Sequence, residues 1–200
     1  MRLKSTLRKI FIGLIISLSA IIFGCSLKEI TSVPITVIIQ KYGITISNFA
    51  AQSILIGILP LGGIFGAVIT KFMIPRSRRL TGIYIFTFIN IGAIILVNIT
   101  NFGILIAGRF IEGICVGYYT TIAPIYLKEI APKELRGLLG LFFSFGKVVG
   151  VLFIIMLELI FDACPFDYGW RIILSTTAAF SILQAILIFF FGSNTPAEMI

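Results

Sequence analysis

Glu29, Arg109, Glu112 and Lys147 lie deep inside long apolar runs of this sequence. A charge in the middle of a bilayer costs about 2.5–3.5 kcal/mol even on the milder insertion scales, so each of these groups needs a partner or a task. The chemistry open to them is the buried ion pair and the proton relay. Glu112 and Lys147 stand at comparable depth in consecutive runs. At 1.5 Å per residue, Glu112 is roughly 20 Å from the end of its run near Tyr126, and Lys147 is roughly 16 Å from Arg136. The spacing predicts a Glu112–Lys147 pair, with Arg109 one turn away on the Glu112 face. The alternatives are a snorkelling Lys147, or a Glu112 that serves Arg109 alone. Enzyme chemistry is poorly supplied. The chain has no histidine, no carboxylate pair within one run, and no CxxC or metal-ligand spacing among Cys25, Cys115 and Cys164. The cysteines read as small apolar packing residues. The expectation is a protein that is not an enzyme and needs no metal or cofactor.

Composition sets the frame for these groups. The 200 residues are 58% hydrophobic and 12% charged, with a mean hydropathy of +1.12. Soluble domains carry about 25% charged residues. The class is therefore an all-α, multi-pass membrane protein in a lipid bilayer, with one domain over 1–200. Apolar runs predict six spans, at about 10–38, 49–72, 80–99, 102–127, 138–161 and 170–191. The first is long, and tilts or bends near Pro34. It is too long for a cleavable signal peptide, and no small-residue cleavage site follows it.

The net charge of +8 has a pattern that argues against nucleic acid as its cause. Arg2, Lys4, Arg8 and Lys9 precede the first span. Lys71, Arg76, Arg78 and Arg79 lie between the second and third, and Lys128, Lys133 and Arg136 between the fourth and fifth. The alternate loops are poor in base. The positive-inside rule then places both termini in the cytoplasm. Asn98-Ile99-Thr100 is a glycosylation sequon on the opposite side, close to the membrane. Gly62/Gly66, Gly113/Gly117 and Gly146/Gly150 repeat small residues at the four-residue spacing that lets helix backbones approach in lipid.

The stretch 108–137 carries a dense motif: Gly108-Arg109, Gly113, Gly117, then Pro124, Tyr126, Glu129, Pro132, Arg136 and Gly137. It resembles the fourth helix and following loop of the sugar porters, a branch of the major facilitator superfamily. Phe23-Gly24, Gly169-Trp170-Arg171 and Ser193–Pro196 resemble, in order, the family's first helix, the start of its sixth, and the segment after it. The resemblance covers nearly the whole chain. It implies the amino-terminal half of a twelve-helix transporter, built from two inverted three-helix repeats, with substrate bound near mid-membrane between the halves. The expected activity is facilitative transport of a hexose-like sugar by alternating access, with a second half or another copy as partner. The alternatives are a truncated or degenerate porter that does not transport alone, and a membrane sensor or interaction protein. Plasma membrane is the location the family implies.

Departures from the family pattern bear on mechanism. In proton-coupled members the first helix has an acid where Ser26 stands, and serine favours facilitated diffusion. Glu29, one turn further along, is a displaced acid within reach of Arg109 on the alternative, proton-coupled reading. The resemblance places the substrate face of the fifth helix at Ser144, Phe145 and Val151. Ser144 replaces a sugar-binding glutamine, so it offers a hydroxyl without the paired donor and acceptor of an amide. A cytoplasmic gating network is expected from Arg78, Arg79, Glu129 and Arg136, weakened because the loop after the second helix lacks the family's acid.

Overall fold

The computed structural model describes residues 2–43, 47–73, 79–130, 136–163 and 169–191, and among these every regular element is helical. In chain order they are α1 (Arg2–Ser32), α2 (Ile35–Tyr42), α3 (Asn48–Met73), α4 (Arg79–Val97), α5 (Phe102–Ile130), α6 (Arg136–Ala163) and α7 (Gly169–Phe191). Five of them, α1, α3, α5, α6 and α7, are long and apolar enough to cross a membrane. Helix α4 has 19 residues, or about 28 Å at 1.5 Å each, close to the ~30 Å hydrocarbon core. It completes a bundle of six.

The first run breaks at Pro34, the position the sequence marked for a bend, and divides there into two helices. Helix α1 ends at Ser32, and α2 starts afresh after Pro34. Proline has no N–H to donate and biases the residue before it away from helical angles, so the ladder stops at Val33. Pro34 then takes the N-cap position of α2, at φ −56° and ψ 128°. Helix α2 buries Ile38 and Tyr42, and the Tyr42 hydroxyl donates to the Val97 carbonyl at 2.8 Å. It ends on Gly43 at φ +62°, whose N–H reaches back to the Ile39 carbonyl. Only glycine takes that left-handed cap without steric cost.

The packing follows a two-fold logic. Helix α3 packs most closely on α5, and α6 packs most closely on α1; α4 leans on α5 as α7 leans on α1. Exchanging α1, α3, α4 for α5, α6, α7 reproduces the pattern, as two inverted three-helix repeats require. The sequence's glycine pairs sit at the two closest contacts. A Cβ on Gly62, Gly66, Gly113 or Gly117 would stand 2.0–2.3 Å from a carbonyl oxygen of the facing helix, across the α3–α5 contact. Across α1–α6, a Cβ on Gly24 would meet the Lys147 carbonyl oxygen at 2.1 Å, and one on Gly150 the Ile21 oxygen at 2.3 Å. Lipid supplies no hydrophobic drive between helices, so such close van der Waals approach has to supply the attraction. The sequon asparagine is also structural: Asn98 donates to the Ile94 carbonyl at 3.0 Å and to Ser175 Oγ on α7 at 3.1 Å.

Gly117→Ala places a methyl group against the backbone of Gly63, which cannot rotate away. A loss of at least about 1–3 kcal/mol is expected, the usual cost of overpacking. Gly92→Ala, where the space within 4 Å is empty, serves as the control and should leave stability unchanged or slightly raised. Thermal midpoints of the two variants in detergent check this, and equal midpoints would contradict the contact.

Candidate functional site

At the centre of the bundle, three charged side chains from two helices meet. Arg109, on α5, is 1% exposed; Glu112, one turn further along α5, and Glu29, on α1, are fully buried. The guanidinium donates to Glu29 Oε1, to Glu112 Oε2 at 2.9 Å, and to the Ser26 backbone carbonyl at 2.8 Å. From α7, the Thr177 hydroxyl donates to the second oxygen of Glu29 at 2.6 Å. The planar, five-donor head of arginine suits this fan of acceptors as a lysine ammonium does not. Two carboxylates face one guanidinium, so the cluster carries one negative charge in excess when both acids are ionised. A proton on either acid neutralises it.

The expected Glu112–Lys147 pair is not formed. Arg109 takes Glu112 instead, and the cause is topological. Helix α6 sits against α1, not beside its chain neighbour α5, so depth in consecutive spans did not translate into proximity. Lys147 Nζ stands over two rings, Phe23 at 5.4 Å and Phe143 at 5.1 Å from their centroids. Glu29, a secondary candidate in the sequence, is the residue that meets Arg109.

Ser144 and Phe145 line a shallow groove of about 430 Å³ with Leu138, Leu141, Phe142 and Val148. Ser144 is its one polar side chain, so the groove itself is apolar. Val151 is half-buried, one helical turn beyond Lys147. Glu129 and Arg136 stand near the facing ends of α5 and α6, each with an interaction partner. Arg79 opens α4, whereas Arg78 lies outside the described residues, as do Lys133, Glu134 and Ser193–Pro196.

Some participants had weak sequence signals. Thr177, Ser181 and Gln184 recur at helical spacing in the largely apolar α7, and all three are buried. Ser181 accepts from Asn90 of α4 at 2.9 Å, and Gln184 donates to Ser19 of α1 at 2.6 Å. Glu158 was overlooked near the end of α6. It pairs with Lys28 at 3.2 Å and accepts from Ser32 at 2.8 Å, which pins α1 to α6.

The sequence pattern of the family described as "Sugar (and other) transporter" matches residues 10–197. The chain belongs to that family. Its members are transporters, not enzymes, and this chain is an integral, multi-pass membrane protein. It is 33% identical over 150 residues to the rat solute carrier family 2, facilitated glucose transporter member 5, covering 71% of this chain and 29% of that protein. It is 31% identical over 153 residues to a high-affinity glucose transporter 1 of Candida albicans, covering 74% of this chain and 27% of the relative. The chain thus spans under a third of the length of these curated relatives. It superposes on the inward-open xylose transporter XylE of E. coli with a TM-score of 0.79 at 19% identity, over 94% of this chain and 49% of that one. A double-tryptophan XylE mutant gives 0.83 at 18% identity, over 96% and 46%. The fold is therefore that of a six-helix major facilitator half.

Arg109→Met leaves two buried acids without their cation. Removing one partner of a buried ion pair costs about 3–5 kcal/mol, so a large fall in thermal midpoint and in monodisperse yield is expected. Adding Glu29→Gln to it should recover part of the loss, because the two residues share one interaction. A double variant as unstable as the sum of the singles would show that they are not coupled.

Proposed function

We propose that this chain is the amino-terminal six-helix half of a porter that moves a hexose-like sugar by alternating access, together with a second six-helix half. The observation that carries the reading is membership of a sugar-transporter family, combined with a fold that matches about half of a sugar transporter's chain. Relatives named for glucose transport favour a hexose over other solutes. Ser144, Phe145 and Val151 are the proposed substrate-facing residues of α6, and Arg78, Arg79, Glu129 and Arg136 the proposed gating network at the cytoplasmic end. The Lys/Arg asymmetry supports both termini on the cytoplasmic side, and the family supports the plasma membrane.

Facilitated diffusion is the reading favoured by Ser26, which has no acid to carry a proton. The Glu29–Arg109 contact favours a second reading, proton–sugar symport. An acid bound to the central arginine is present, supplied one turn later on α1, and intramembrane carboxylates of this kind serve as proton relays.

Uptake of labelled glucose by hexose-transport-deficient cells expressing the chain, with surface expression controlled, tests both. Facilitated diffusion predicts saturable uptake that is independent of external pH and survives Glu29→Gln. Symport predicts uptake that rises steeply at acid pH and loses that rise in Glu29→Gln. No uptake by surface-expressed chain, alone or with a carboxyl-terminal half supplied in trans, would remove glucose transport as the reading.

A further inference from the structure

We propose that the solute taken by this porter is an anionic sugar bearing a single carboxylate, with Lys147 as the residue that binds the carboxylate. The inference rests on the sugar-transport reading and narrows its substrate class. Its starting point is that Lys147 is a cation in the middle of a spanning helix whose structural partners do not account for its charge. Among the described residues no carboxylate lies within ion-pair distance of Lys147, while Arg109 holds Glu29 and Glu112 and Lys28 holds Glu158. What Lys147 has is the faces of Phe23 and Phe143. Two rings steady an ammonium but replace none of the oxygen acceptors its three N–H donors would take.

The position of Lys147 fits recognition. It lies three residues after Ser144 and four before Val151, so the three share one helix face. Ser144 and Val151 are two of the three residues proposed to meet substrate. Lys147 is half-buried rather than sealed. Its backbone is locked against Gly24 of α1, so the ammonium and the Phe23 ring are held in fixed relation. It is also clear of the central cluster. Cys25 lies beside Gly150 and Ser32 beside Glu158, an offset of 125–126 residues along the parallel α1 and α6. Glu29 is therefore level with residues 154–155 of α6, roughly 11 Å along the axis from Lys147.

Charge count chooses the anion. One lysine neutralises one carboxylate. A phosphate monoester carries about −1.5 to −2 at neutral pH and would leave negative charge unbalanced at a depth where that is costly. Ser144, a lone hydroxyl, is a poor site for a neutral polyol by itself, but suffices beside an ion pair.

Equilibrium binding of labelled glucuronate and glucose in lipid nanodiscs tests this, on the purified chain alone and with a carboxyl-terminal half supplied in trans, and with unlabelled glucose 6-phosphate as a competitor. Glucuronate is expected to bind about tenfold or more tighter than glucose, the value of one ion pair in a partly desolvated site. Lys147→Met should remove that preference by lowering glucuronate affinity about tenfold more than glucose affinity, and Lys147→Arg should keep it. Glucose bound as tightly as glucuronate overturns the inference and leaves the transport reading standing. Glucose 6-phosphate binding more tightly than glucuronate overturns the choice of carboxylate. Binding of neither sugar, with or without the second half, overturns both. If Lys147→Met lowers the thermal midpoint but leaves the glucuronate-to-glucose ratio unchanged, Lys147 serves to balance the charge of the Arg109 cluster and the inference fails.

Discussion

The structure depends on one requirement: a guanidinium held in the middle of an apolar bundle has to be surrounded by acceptors. Water cannot solvate Arg109 there, so protein must. Its acceptors come from α5 itself and from α1, and α7 is drawn in through Thr177 and Glu29. Three helices, drawn from both structural repeats, thus converge on one side chain. The cluster supplies orientation as much as stability. A buried ion group adds little net free energy over a well-packed apolar one, but it penalises any arrangement in which its members are parted.

The glycine contacts work in a complementary way. They bring α3 to α5 and α1 to α6 at backbone distance, and leave the two helix pairs to be joined through α4, α7 and the Arg109 cluster. Close contact within each pair rests on dispersion between backbones, which is strong only when the surfaces mesh. The seam between pairs is more polar. Asn90–Ser181, Gln184–Ser19 and Tyr119–Thr87 all lie at contacts of α4 or α7 with their neighbours.

Much of the fold could be read from the sequence because the bilayer simplifies the problem. Apolar length gives the spans, and the glycine spacing gives the sites of closest approach. The fold's family could be read from the motif around Arg109. The break at Pro34 was visible as a proline, but not the separate α2 beyond it, whose footing depends on tertiary contacts of Ile38 and Tyr42. The partner of Glu112 was misjudged because neighbours in sequence were assumed to be neighbours in space. In this topology α6 crosses to α1, and Lys147 goes with it. Thr177 had only its helical spacing with Ser181 and Gln184 to mark it; its role appears when a carboxylate from another helix arrives beside it.

The pairing of α1 with α6 also has a consequence for biosynthesis. Helix α1 has its closest partner 125–126 residues later in the chain. At about 5–20 residues per second, that is a delay of roughly 6–25 s. Glu29 waits for Arg109, 80 residues on. During that interval α1 holds an acid with no counter-charge at bilayer depth, so the nascent protein must keep Glu29 protonated, hydrated, or sheltered by the insertion machinery until the arginine is delivered.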